Sequence, residues 1–134
     1  MENTEQLFAE YTIKLVTITH LLSDLSEIIH KLNQRWWLFD CNGKPTRNKG
    51  EAIALMHSEL SEALEGVRKN KMDEHIPHLK NEVVEMADCI IRILDYCAGF
   101  NLPIGEALYE KLQYNSIRKD HKIEERMKDR GKKF

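Results

Sequence analysis

The chain is poor in several features that mark large classes of protein. Its three cysteines, Cys41, Cys89 and Cys97, are odd in number and lack CxxC spacing. That excludes a disulfide framework or a Cys-rich zinc site and leaves free thiols suited to a reducing compartment. No apolar run approaches 18 residues, and the opening MENTEQLFAEYT is acidic where a leader would be basic. Neither a membrane span nor a secretory signal is expected, so the chain reads as soluble and cytoplasmic. Excess positive charge is also missing. With a formal net charge of −2 the protein has no footprint for general nucleic-acid binding. A Gly-rich phosphate loop is absent, which argues against a P-loop NTPase. There is no His-Asp dipeptide to support an HD-type phosphohydrolase. His57, His75 and His78 make a poor transition-metal set, because Pro77 interrupts the closest pair and no Cys stands beside it. Alternating strand patterns and internal repeats are lacking too.

Helical periodicity is what the sequence does have. Leu7, Tyr11, Leu15, Ile18, Leu22, Leu25, Ile28, Ile29 and Leu32 recur at threes and fours, predicting one long amphipathic helix over 4–33. The segment RWWLFDCNGKPTRNKG, with Asn-Gly and Pro among aromatics, reads as a structured loop. A second helix is predicted over 48–68, stopping near Gly66 and Asn70, a third over 78–98 after Pro77, and a fourth over 103–118. These lengths and short connectors describe a single all-α domain over residues 1–134, an antiparallel bundle of about four main helices. Four amphipathic helices leave apolar surface that one copy covers poorly, so a homo-oligomer, a homodimer or homotetramer, is expected. Charge is unevenly spread. Residues 118–134 hold eight Lys or Arg against four Asp or Glu, a net of +4, so the body before this basic tail carries −6.

Two carboxylate pairs stand out within that acidic body: Glu59-x-x-Glu62 on the second helix and Glu85-x-x-Asp88 on the third. A spacing of three puts each pair on one helix face, about one turn apart. With 22 acids in 134 residues, roughly three or four such pairs arise by chance, so spacing alone means little. Environment distinguishes these. Glu59 falls among Ala52, Leu55, Met56 and Ala63, inside the apolar stripe, and the only cation within a turn of the four acids is Arg92, four residues after Asp88. Packed antiparallel, the two helices would bring four carboxylates together as a hard oxygen site of the kind Mg²⁺ prefers and Mn²⁺ can share. Open positions on such a cation suit phosphoryl chemistry.

The spacing ExxE, 22 intervening residues, ExxD resembles the signature of the MazG-like all-α nucleoside triphosphate pyrophosphohydrolases. In EALYEKLQYNSIRKDH, Lys111, Asn115 and Arg118 are similar to the Lys and Asn that such enzymes carry after their acid helices, and the ending RGKKF is similar to the basic tails of small bacterial and phage members. The likeness runs from about Arg35 to Phe134. It implies cleavage of a nucleoside triphosphate to monophosphate and pyrophosphate, in nucleotide-pool control, with a lean to a purine deoxynucleotide such as dGTP over dUTP or dCTP. Glu59, Glu62, Glu85 and Asp88 would bind Mg²⁺, with Glu59 and Glu62 catalytic and Glu59 the first choice as base toward the attacking water. Lys111, Asn115 and Arg118 would hold phosphates and sugar, Trp37 would stack on the base, and His30 would approach the pocket. Ser58 stands where many relatives have a further Glu. A phosphoribosyl-ATP pyrophosphohydrolase shares the acid motif. The reading from a different class is a non-catalytic helical interaction module with a solvated acidic face.

Overall fold

The structure is a computed structural model that describes residues 3–118 and 127–128. Of the expected basic tail, all but Met127 and Lys128 lie outside the described residues. Among the described residues four α-helices follow in order: α1 Thr4–Asn33, α2 Lys49–Arg68, α3 Asn81–Gly99 and α4 Ile104–Ile117. Among the described residues no strand forms, only two isolated bridges, Phe39 with Pro45 and Met72 with Lys80. The all-α class is therefore observed, and no described helix is long and apolar enough to cross a membrane.

Local chemistry explains the element ends and corrects two expectations. Asn48 is the N-cap of α2, outside the helix, its Oδ1 accepting from the Glu51 amide at 3.0 Å. Gly66 does not end that helix. It is a buried interior residue where α2 meets Asn81, and the stop comes at Arg68, followed by Asn70 with φ of 47°. The third helix begins at Asn81, three residues beyond its expected start at His78. Lys80 is still extended in its bridge with Met72, and Asp73 accepts from the amides of His75 and Ile76 to fold the connector.

The chain divides into two compact units, and α1 contributes to both. One comprises Met1–Ser23 and Pro103–Phe134. There α1 and α4 meet closely: Thr4 Oγ1 donates to the Ser116 carbonyl at 3.1 Å, Phe8 and Tyr109 rings lie 5.6 Å apart, and a methyl group on Gly105 would collide with the Thr19 backbone.

The other unit, Asp24–Leu102, contains the most extensive packing, between α2 and α3. Gly66 touches Asn81, the Met56 carbonyl lies 3.5 Å from Cys89 Sγ, and Arg92 reaches Glu59, so the two helices run antiparallel. Their contact faces are built from small residues, with Ala52, Ala63, Gly66 and Cys89 all buried. Beside them the last turns of α1 are tied in by Ser26 Oγ, which donates to the Leu94 carbonyl at 2.6 Å. The loop after α1 turns tightly at Asn42-Gly43, where Asp40 Oδ1 accepts from the amides of Asn42 and Lys44 and Gly43 takes φ of 74°. Ahead of this turn, Trp37 lies in the core. Its ring packs edge-on to Phe100, with centroids 5.3 Å apart, and lies directly against Gly99. A side chain at 99 would have to displace that buried indole. Gly99→Ala is expected to destabilise the protein by about 1–3 kcal/mol, read as a lower urea midpoint with an unchanged slope.

Candidate functional site

The α2/α3 crossing gathers acids from both helices. Glu59 of α2 and Glu85 and Asp88 of α3 each offer a carboxylate oxygen, and these oxygens lie within 4.8 Å of one another. Glu59 is buried, as the sequence reading expected from its place in the apolar stripe. Glu62, one turn on, is exposed but lines the same cavity, of about 570 Å³, together with Lys71, Asp73, His75 and Asn81 of the connector and α3 start. Three of the four expected metal ligands thus converge, with the fourth at the cavity wall.

Two of the acids are held by specific partners. Asn81 Nδ2 donates to Glu85 Oε1 at 2.8 Å and lies 3.5 Å from Asp73 Oδ2, so one amide links the connector to the acid cluster. The sequence assigned Arg92 to Asp88, four residues before it on the same helix. Instead its Nε donates across to Glu59 Oε1 at 2.5 Å. The cause is burial: Glu59 is the carboxylate most removed from water and has most to gain from a charged donor.

Electrostatics in the cluster are unfavourable to ionisation. Burial, then the nearby charges of Glu62, Glu59 and Asp88, push the Glu85 carboxyl above its ordinary range, against the opposing hydrogen bond from Asn81. Asp88 is pushed up by burial and by Glu59, with Arg92 opposing. By contrast the amide of Ile76, then that of His75, hold Asp73 below its usual value despite burial. Lys71 is raised and Glu74 lowered by their mutual pairing at 2.8 Å. An all-oxygen, anionic set of this kind fits a hard divalent cation, which would remove the repulsion that raises Glu85 and Asp88.

A second cavity, of about 340 Å³, adjoins the first and shares Glu59, Asp88 and Arg92 with it. Its other walls include Asn33, Trp36, Arg47, Ile91, Asp95 and Tyr96. Asp95 is the centre of a polar cluster. It is 6 % exposed, accepts from Trp37 Nε1 at 3.1 Å with both oxygens, lies 2.8 Å from His30 Nδ1, and pairs with Arg47 at 3.6 Å. The expected base contact, Trp37, is thus a core residue whose ring edge is committed to Asp95 and whose neighbours are His30 and Phe100. The tryptophan lining the cavity is Trp36, 69 % exposed, with Arg35 against its ring. No local pattern could have revealed this cluster, since its members come from four separate stretches of chain. The signal available was an acid, Asp95, within an apolar helix segment.

Lys111, Asn115 and Arg118 belong to the other unit. Lys111 Nζ and Arg118 Cζ lie 5.0 and 5.5 Å from the Tyr114 ring centre, and Asn115 Oδ1 is the one buried side-chain oxygen that accepts no hydrogen bond among the described residues. Cys41, Cys89 and Cys97 are free thiols. No protein-family model matches the chain, and no curated protein or solved structure is significantly similar to it.

The raised carboxyls have a consequence for stability. A carboxyl whose folded pKa exceeds its unfolded value favours folding least when ionised, so stability is lost as pH rises through the folded value. In a chelating buffer, Glu85→Gln is expected to raise the thermal midpoint at pH 7 and to flatten its decline above the ordinary carboxylate range. An unchanged midpoint and pH profile would show that the cluster carries no such repulsion.

Proposed function

We propose that the protein is a Mg²⁺-dependent nucleoside triphosphate pyrophosphohydrolase of the MazG-like type, with Mn²⁺ able to substitute. The observation that carries this reading is the convergence of Glu59, Glu85 and Asp88 oxygens, from two helices, beside a cavity walled by aromatic and cationic side chains. A solvated acidic face has no reason to bury Glu59 or to link Glu85 through Asn81 to the connector. Glu59, Glu85 and Asp88 would hold the cation, with Glu62 within reach of the same cavity. Bound there, Mg²⁺ would supply charge neutralisation for the polyphosphate and activation of water.

The protein's own residues do the rest. Water attacks the α-phosphorus, the bond from that phosphorus to the bridging oxygen of the β-phosphate breaks, and pyrophosphate leaves from the monophosphate. Between the two acids expected to act on water, Glu59 has one oxygen engaged by Arg92, whereas Glu62 lines the cavity without belonging to the three-oxygen group. Glu62 therefore accepts the water's proton. Trp36 and Tyr96 give the second cavity apolar surface for a base, and the preference for a purine deoxynucleotide such as dGTP stays part of this proposal, as do the phosphate and sugar roles of Lys111, Asn115 and Arg118.

Association belongs to the same reading. Ile53, Leu60, Leu64 and Val67 form one exposed stripe on α2, and Val83, Met86 and Ile90 another on α3, while the buried apolar core holds few side chains larger than alanine or cysteine. A second copy covers these stripes in a homodimer or a pair of dimers, completing an antiparallel helical bundle.

Pyrophosphate release measured with Mg²⁺ or Mn²⁺ across dNTPs and NTPs tests the activity. Glu62→Gln is expected to lower turnover by on the order of 100-fold or more while Mn²⁺ binding persists, and Asp88→Asn to weaken Mn²⁺ binding itself. A folded protein that binds neither metal nor triphosphate would return the acids to a solvated surface on an interaction module.

A further inference from the structure

Arg92 occupies a singular position: with Glu59 and Asp88 it lines both the acidic cavity and the aromatic one. A ligand with a polyanionic end at the acids and a ring among Trp36 and Tyr96 has to pass this side chain. The guanidinium is held at one edge. Its Nε is pinned to Glu59 Oε1, and its only hydrogen bond or ion pair among the described residues is this one, so the two terminal nitrogens keep their donors for another acceptor. The side chain is about a third exposed, which leaves those donors reachable. A planar donor held at one edge, next to a cluster that repels bare anions, has the geometry for bidentate contact with phosphate oxygens.

We propose that Arg92 binds the substrate's polyphosphate at the junction of the two cavities, and that its pairing with Glu59 couples cation entry to substrate binding. The proposal rests on the pyrophosphohydrolase reading and names the residue that makes that site selective for a triphosphate carried with its metal. Without a cation Glu59 neutralises Arg92, and each competes with the ligand the other will take. With a cation held by Glu59, the hold on Arg92 Nε would weaken and the guanidinium would be free to meet phosphate. A phosphate taking Arg92 in turn leaves Glu59 to the cation. Arg92 thus opposes metal binding in the absence of nucleotide and favours nucleotide binding in the presence of metal, two effects of opposite sign at one side chain.

Those opposite signs are the test. Free Mn²⁺ is followed by its paramagnetic resonance signal during titration of nucleotide-free protein. The α,β-methylene analogues of dATP, dGTP, dCTP and dUTP are then titrated in turn by calorimetry at saturating Mn²⁺. Arg92→Gln is expected to bind Mn²⁺ severalfold more tightly than the parent and the preferred analogue on the order of 10- to 100-fold more weakly. Arg92→Lys keeps the charge beside Glu59 but not the bidentate donor. It is expected to leave Mn²⁺ affinity near that of the parent and to weaken the analogue, and it carries the comparison if the glutamine variant does not fold. Unchanged analogue affinity in either variant, or a parallel fall in both affinities as from a loosened fold, would overturn the role of Arg92 alone. A parent protein that binds Mn²⁺ but none of the analogues would overturn the triphosphate reading beneath it.

Discussion

The faces on which α2 and α3 meet are made of small side chains, and the site depends on that closeness. Ala52, Ala63, Gly66 and Cys89 let the two helices approach until carboxylates rooted on different helices share a volume a few ångströms across. Larger residues would hold the helices apart and leave each acid pair on its own surface. Gly66 shows the dependence most directly: any side chain there would strike Asn81, the residue that steadies Glu85. Spacing in the acid cluster is therefore set by residues that carry no charge.

Bringing acids together costs stability, and the surroundings offset only part of it. Arg92 serves Glu59, and Asn81 serves Glu85, yet the carboxyls of Glu85 and Asp88 are still pushed toward their neutral forms. Asp95 presents the opposite solution within the same unit. It is as buried as Glu59, but His30, Trp37 and Arg47 converge on it. Asp95 thus has several partners from the protein, whereas Glu59 and Glu85 have one each and Asp88 has no hydrogen-bond partner among the described residues.

Most of the helical architecture could be read from the chain, because periodicity at threes and fours is a local property. Thr4–Asn33 was legible to the residue, and α2 and α4 nearly so. The start of α3 was not, since the bridge between Met72 and Lys80 keeps Lys80 extended and the turn around Pro77 outside the helix, and no local propensity encodes that pairing. For the site, Glu59, Glu85 and Asp88 were legible from two spacings and one misplaced charge in an apolar stripe. Arg92 was visible but attached to the wrong acid, because helix spacing offers Asp88 while burial, a property of the fold, selects Glu59. Similarly, aromatic content drew attention to the loop after α1, but which tryptophan goes inward depends on His30, Asp95 and Phe100, which the fold gathers around Trp37 from other elements.

That division of labour between neighbouring tryptophans gives the molecule two built-in optical probes. Trp37, surrounded by His30, Asp95 and Phe100, emits from a dry and rigid setting, so its spectrum follows the integrity of the core. Trp36 emits from water at the wall of the aromatic cavity, where contact with a nucleobase would quench it without disturbing its neighbour. Because they are the chain's only two tryptophans, a shift in the blue part of the emission and a loss in the red part report separate events. Occupancy and unfolding can then be followed in one cuvette with no label attached.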